Sequence, residues 1–147
     1  MQFHGEYIHR LDPQGRVAMP SRFREVFRGG LVLSKGLDFC VWAFSPTSWE
    51  AWSREVAARS PKFKLSRVMR RRTFGSAFDL ELDRQGRVLI PQPLRAYAGL
   101  KEEVVLVGNG DYLELWDKDR WENEELPAVE EAMARMASIE EQQDAER

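Results

Sequence analysis

Apolar and polar positions change period several times along the chain, and each change marks an element. In FDLEL, Phe78, Leu80 and Leu82 alternate strictly with Asp79 and Glu81, the period of two that a half-buried strand requires. EYIHRL, from Glu6, reads as a strand as well, and the short runs RVAM from Arg16 and RVLI from Arg87 read as returning strands. Each pair therefore predicts a hairpin. PSRFREVF ahead of Gly29-Gly30, and PQPLRAYA ahead of Gly99, carry proline near the start and glycine past the end, which predicts short helices. LVLSKGLDFCVWAF and EVVLVGNGDYLELW each predict two further strands broken by a glycine turn. A closing helix starts at Ser45-Pro46 in one case and at Asp117 in the other, since Ser and Asp both cap helices well.

The same order of elements thus occurs twice. LDPQGRVAMP (11–20) returns as LDRQGRVLIP (82–91), and with one residue inserted after Gly30 the match continues through Val32 and Val104, Gly36 and Gly108, Phe44 and Trp116, and Trp49 and Trp121. The unit is ββαββα, covering residues 5–55 and 77–125. Between the copies, residues 56–76 predict a basic connecting helix: Ser60 caps, Pro61 takes the first helical position, and Leu65, Val68 and Met69 form a narrow apolar stripe. Lys62, Lys64, Arg67, Arg70, Arg71 and Arg72 fall mostly outside that stripe. In 126–147, Val129, Ala132, Met133, Met136 and Ala137 recur at helical spacing among acidic residues, which predicts an acidic C-terminal helix whose EEQQDAER end frays. Two such units, neither able to bury its own faces, should pack about a pseudo-two-fold axis. The expected fold is mixed α+β, mostly β: a closed or nearly closed small β-barrel plus a C-terminal helix.

Composition adds two constraints. At 147 residues and 43% hydrophobic, the chain suits one ordinary domain or two small units sharing a core. The net charge of −2 hides a division: residues 1–72 carry 14 Lys and Arg against 6 Asp and Glu, and residues 73–147 carry 8 against 18. Either the basic half meets an anionic partner or the halves complement each other. No apolar run approaches the roughly 18 residues of a membrane span. MQFHGEYIHR lacks the apolar core of a signal peptide, so a cytoplasmic protein with no membrane partner is expected. The single Cys40, in FCVWAF, excludes an intrachain disulfide and reads as a buried thiol.

Little in the sequence points to catalysis. His4 and His9 lie five apart on a predicted strand and do not combine with Cys40 at any usual metal-site spacing. The carboxylates are scattered, and GNG at 108–110 is followed by no Lys-Ser or Lys-Thr. No enzyme activity, metal, cofactor or small-molecule substrate is expected. The arginines are the positive signal. In Asp12-Pro13-Gln14-Gly15-Arg16 the glycine closes a turn and the aspartate, four residues earlier across the hairpin, can hold the guanidinium fork in one orientation. An arginine so held suits bidentate contact with guanine O6 and N7, or with phosphate. Asp83, Arg84, Gln85, Gly86 and Arg87 repeat the arrangement. Turn formation alone accounts for Asp and Gly but does not require Arg, Gln and Val to recur. Arg10, Arg22 and Arg24 stand near the first turn, and Arg95 near the second.

GEYIHRLDPQGRVAMPSRFRE, GLDFCVWAF, FGSAFDLELDRQGRVLIPQPLRAYAGL and VVLVGNGDYLELWDKDRWE together resemble the MraZ family, related to the AbrB transition-state regulators, over nearly all of the chain to about residue 125. The resemblance implies an AbrB-like swapped-hairpin barrel made of tandem repeats, ring-shaped homo-oligomers, and binding to short direct repeats of double-stranded DNA upstream of the division and cell-wall gene cluster. It further implies regulation, typically repression, of the protein's own operon, and hence association with the nucleoid. The family's reading motif falls on Asp12 to Arg16 and Asp83 to Arg87. The residue before the turn glycine, often Lys in the family, is Gln14 and Gln85 here. Arg10 and Arg22 are candidates for further DNA contacts. An alternative from another class is a protein interaction module, antitoxin-like or a scaffold, acting through the acidic C-terminal helix.

Overall fold

Strand pairing in the structure, a computed structural model that describes residues 2–146, runs between the two sequence repeats more than within them. The first repeat contributes β1 (Glu6–Arg10), β2 (Arg16–Ala18), β3 (Leu31–Lys35) and β4 (Val41–Phe44). The second contributes β5 (Phe78–Leu80), β6 (Arg87–Leu89), β7 (Glu103–Gly108) and β8 (Leu113–Asp117). Among the described residues, six strands form one sheet in the order β1-β7-β8-β4-β3-β5, and β2 and β6 form a separate antiparallel ribbon. The order is a palindrome of repeat positions: the first strand of each copy lies on the third strand of the other, and the fourth strands meet in the centre. Register fixes the pseudo-two-fold axis, since Val17 faces Val88 in the ribbon and Trp42 faces Glu114 in the sheet, each pair occupying equivalent places in the two copies.

This corrects the simple hairpins expected at the head of each copy. The turns do close: the Asp12 amide donates to the Arg16 carbonyl at 2.9 Å and the Asp83 amide to the Arg87 carbonyl at 2.8 Å. Beyond the turn, however, β1 leaves for β7 and β2 for β6. Apolar burial drives the exchange. Val17, Met19, Val88 and Ile90 put the inner face of the ribbon into the same core as Leu33, Ala43, Leu106 and Leu115 of the sheet, and that area leaves water only if the copies interleave. The expected fold class, mixed α+β in two tandem repeats, is observed. The expected closure into a barrel is not made by strand pairing: among the described residues the six-stranded sheet is open, with no ladder joining β1 to β5, and the ribbon is paired only within itself.

The helices differ between the copies. α1 (Pro46–Ala57) starts where expected, with Ser45 Oγ accepting from the Ser48 amide at 3.1 Å. Its Trp49 and Trp52 pack edge-on against Phe44 and Trp42. α2 (Lys64–Gly75) begins later than expected, because Ser60 Oγ accepts from the Lys62 amide and Arg67 donates to the Pro61 and Lys62 carbonyls, holding those residues in a turn. Leu65 and Val68 of the expected stripe are exposed. α3 (Gln92–Ala98) ends at Gly99, whose φ of +63° supplies the left-handed cap. Its counterpart in the first copy is only a 3-10 turn, Ser21–Phe23, followed by irregular turns. FREVF lacks the alanines of LRAYA and includes Val and two Phe, which are weaker helix formers.

The chain divides into two compact units, one ending at Asp117 and one beginning at Lys118. The second is helical throughout: α4 (Lys118–Arg120), a π turn (Trp121–Glu125) and α5 (Leu126–Ala145). In the π turn the Leu126 amide donates to the Trp121 carbonyl. The wider turn precedes Pro127, which has no amide to continue an α ladder and whose ring crowds the preceding turn. EEQQDA continues the helix, as α5 runs to Ala145. Residue 147 of the expected tail lies outside the described residues.

Candidate functional site

Both Asp-x-x-Gly-Arg turns sit at the ends of the ribbon, and their internal geometry is the same to a tenth of an ångström at the carboxylate. Asp12 Oδ1 accepts from the amides of Gln14 and Arg16, and Oδ2 from Arg16 Nε, all at 2.9 Å. Asp83 Oδ1 accepts from the amides of Gln85 and Arg87, and Oδ2 from Arg87 Nε, again all at 2.9 Å. The glycines permit this. Gly15 and Gly86 have φ of +92° and +77° and are buried, a conformation that side chains with a Cβ rarely adopt.

Because the brace uses Nε, the terminal nitrogens of each guanidinium remain on the far edge of the fork. Strand alternation puts Arg16, Ala18, Arg87 and Leu89 on the outer face of the ribbon, while Val17 and Val88 are fully buried on the inner one. The arginines are about one-third exposed, at 32% and 30%, so they are accessible yet tied down. The turns also touch: Arg87 Nη1 lies 3.7 Å from Asp12 Oδ2. The two copies therefore present one continuous polar surface across the pseudo-axis. Its chemistry is that of two preoriented guanidinium groups able to donate hydrogen bonds to an anionic or polar acceptor.

Electrostatics favour the charged form of the brace. The Arg16 amide above all, and then the Arg16 side chain and the Gln14 amide, hold the Asp12 carboxyl below its ordinary value of 3.8, against an opposing effect of desolvation. The Arg87 amide does the same for Asp83.

Gln14, Arg84 and Gln85 are exposed on the turns. Arg10 lines a cleft of about 890 Å³ beside Asp12, together with Arg95 and Lys101. Arg84 lines the pseudo-symmetric but smaller hollow beside Asp83, of about 320 Å³, with Arg24 and Arg28. Arg22 donates to the Tyr7 hydroxyl at 3.2 Å and lies 3.4 Å from His4 Nε2, beside β1. Arg24 and Arg95, at identical places in the two repeats, lie over the turn of the opposite copy, Arg24 over Gly86 and Arg95 over Gly15. Cys40 is buried, and burial together with Glu114 and Asp38 pushes its thiol pKa far up, which leaves it unreactive. Burial, then Arg24, lowers the pKa of His9. Among the described residues, no group of His, Cys, Asp and Glu has the arrangement of a metal site, and no helix is long and apolar enough to cross a membrane.

Comparison with known proteins matches this architecture twice over. A family model described as "MraZ protein, putative antitoxin-like" fits residues 2–72 and again 73–144. The chain is 43% identical over 119 residues to the transcriptional regulator MraZ of Thermomicrobium roseum, an alignment covering 81% of this chain and 84% of that protein. It is 42% identical over 142 residues to the transcriptional regulator MraZ of Acetivibrio thermocellus, covering 93% and 98%. The corresponding protein of Dehalococcoides mccartyi is 35% identical over 140 residues, covering 95% and 99%.

Proposed function

The chain belongs to the MraZ family, and from that membership we propose that it is a sequence-specific DNA-binding transcriptional regulator that reads double-stranded DNA with the outer face of its ribbon. The observation that carries the reading is the duplicated turn, in which an aspartate fixes each arginine by Nε while the guanidinium stays about one-third exposed. Arg16 and Arg87 read base edges or phosphates, and Gln14, Gln85 and Arg84 stand beside them on the turns, with amides where family members often carry lysine. Arg10 adds positive charge at the cleft beside the first turn. The regulator is neither an enzyme nor dependent on a cofactor.

The target follows the family: short direct repeats upstream of the division and cell-wall gene cluster, with repression of the protein's own operon and a place at the nucleoid. A ring-shaped homo-oligomer presents several reading surfaces to successive repeats. Such multivalency raises avidity by about 10² to 10⁴ without strong single contacts, which reconciles DNA binding with a net charge of −2.

The test is binding to a duplex taken from upstream of the protein's own coding sequence, over a range of salt. Arg16→Ala and Arg87→Ala should each cost about 1 to 3 kcal/mol of specific binding and leave the melting midpoint unchanged. Full affinity in the folded double variant would sink the reading. The rival, a protein interaction module, draws support from the exposed Val129, Met133, Met136 and Ile139 of the acidic α5. A chain ending at residue 125 should keep its operator affinity if the DNA reading holds, and lose function if the rival does.

A further inference from the structure

Arg24 and Arg95 occupy equivalent positions, each eight residues beyond the arginine of its own turn. Neither acts on that turn. Arg95, on α3 of the second copy, donates from Nη1 to the Gln14 carbonyl of the first turn at 3.2 Å. Its guanidinium lies over Gly15, so a Cβ added there would run into Nη1 and Cζ. Arg24, in the first copy, lies over Gly86 of the second turn in the same manner, and its Nε donates to the Met19 carbonyl at 3.3 Å. The backbone repeats the crossing, because the Gly15 carbonyl accepts from the Ile90 amide and the Gly86 carbonyl from the Met19 amide, both at 2.9 Å. Each turn is thus gripped by the other repeat, from its carbonyl side and from its open face.

We propose that Arg24 and Arg95 are positioning residues that aim the reading turns across the repeat boundary, Arg95 acting on Arg16 through Gln14 and Gly15, and Arg24 acting on Arg87 through Gly86. The inference rests on the DNA-binding reading above. The aspartate brace fixes each guanidinium relative to its own turn, but it does not fix the turn relative to the ribbon. A turn built on glycine is locally permissive, and a contact group stays in productive geometry only when a second set of interactions locks its support. At the first turn Arg95 supplies that lock by a hydrogen bond from α3, and at the second Arg24 supplies it by packing over Gly86. Because each of these side chains comes from the opposite repeat, the aim of each arginine depends on the copy that does not contain it.

A different role for Arg95, direct contact with a phosphate from the adjoining cleft, makes other predictions. Full-length protein and the variants Arg95→Ala, Arg16→Ala and Arg95→Ala/Arg16→Ala are titrated with the upstream duplex and with a scrambled duplex of equal composition, at several salt concentrations. Positioning predicts that Arg95→Ala weakens specific binding about tenfold, the factor equivalent to about 1.4 kcal/mol. Scrambled-duplex affinity and the salt slope stay as they were. In the Arg16→Ala background the same change adds little, because the arginine it aims is gone. Wild-type affinity in Arg95→Ala overturns the proposal. So does an additive loss accompanied by a fall in salt slope of about 0.9, the signature of one phosphate contact. If Arg95→Ala does not fold, Arg24→Ala paired with Arg87→Ala answers the same question at the second turn. Loss of binding in Arg16→Ala with none in Arg95→Ala rejects the positioning role alone, whereas full binding in Arg16→Ala/Arg87→Ala rejects the DNA reading and the positioning role with it.

Discussion

At the scale of single residues, the turn aspartates decide whether the arginines are preorganised. Asp12 spends Oδ1 on two backbone amides and Oδ2 on Arg16 Nε, so both oxygens are committed within the turn, and Oδ2 also lies 3.7 Å from Arg87 Nη1 of the other repeat. The folded pKa is depressed, and the brace therefore contributes at pH values above the ordinary 3.8 and is lost only as pH falls through the lower folded value. Carboxyl-carbon NMR titration should give midpoints below 3.8 for both Asp12 and Asp83. In Arg16→Ala the Asp12 midpoint should stay below 3.8, since the largest cause is the amide of residue 16 and not its side chain. A midpoint at the ordinary value in the native protein would contradict the geometry.

At the scale of elements, the ribbon matters more than either hairpin. β2 and β6 are three residues each, too short to persist alone, and they are held because Val17 and Val88 meet on the pseudo-axis with no exposure at all. Val17→Ala and Val88→Ala should each cost about 2 kcal/mol of stability, as two buried methylene equivalents are lost. Since the two side chains face each other, the double variant should depart from the sum by about 0.5 kcal/mol or more. Chemical denaturation measures both, and strictly additive losses would place the two valines in separate surroundings. The unequal helices belong here too: PQPLRAYA forms α3 while PSRFREVF stays irregular, yet both deliver an arginine to the opposite turn. Delivery depends on the buried Phe23 and Leu94 that anchor the two segments in the core, more than on helicity.

At the scale of the molecule, exchange of first strands makes the two repeats one cooperative body up to Asp117. The sheet joins β1 to β7 and β5 to β3, so neither copy can unfold without stripping a strand from the other. Thermal unfolding followed by tryptophan fluorescence and by exchange protection of β3 and β7 amides should give one midpoint. Two midpoints, one per repeat, would show that the copies are separable. The same interleaving sets the two turns side by side, with Arg87 within 3.7 Å of Asp12, so that a motif written twice in the chain becomes one surface.

Much of this is legible in the sequence. The repeat, the order of the strands and the turn with its braced arginine follow from local chemistry: alternation, glycine and proline placement, and a carboxylate four residues from a guanidinium. Local signals of this kind describe what a segment is, because they concern atoms a few residues apart. Which strand lies on which is a different question. A hairpin and an exchanged strand present the same alternation and the same turn, and only the burial of Val17, Met19, Val88 and Ile90 in one shared core selects the exchange. For the same reason Arg24 and Arg95 could be seen as a repeated pair but not as the residues lying over Gly86 and Gly15. Their role depends on contacts 62 and 80 residues apart along the chain, and the tertiary fold alone brings such positions together.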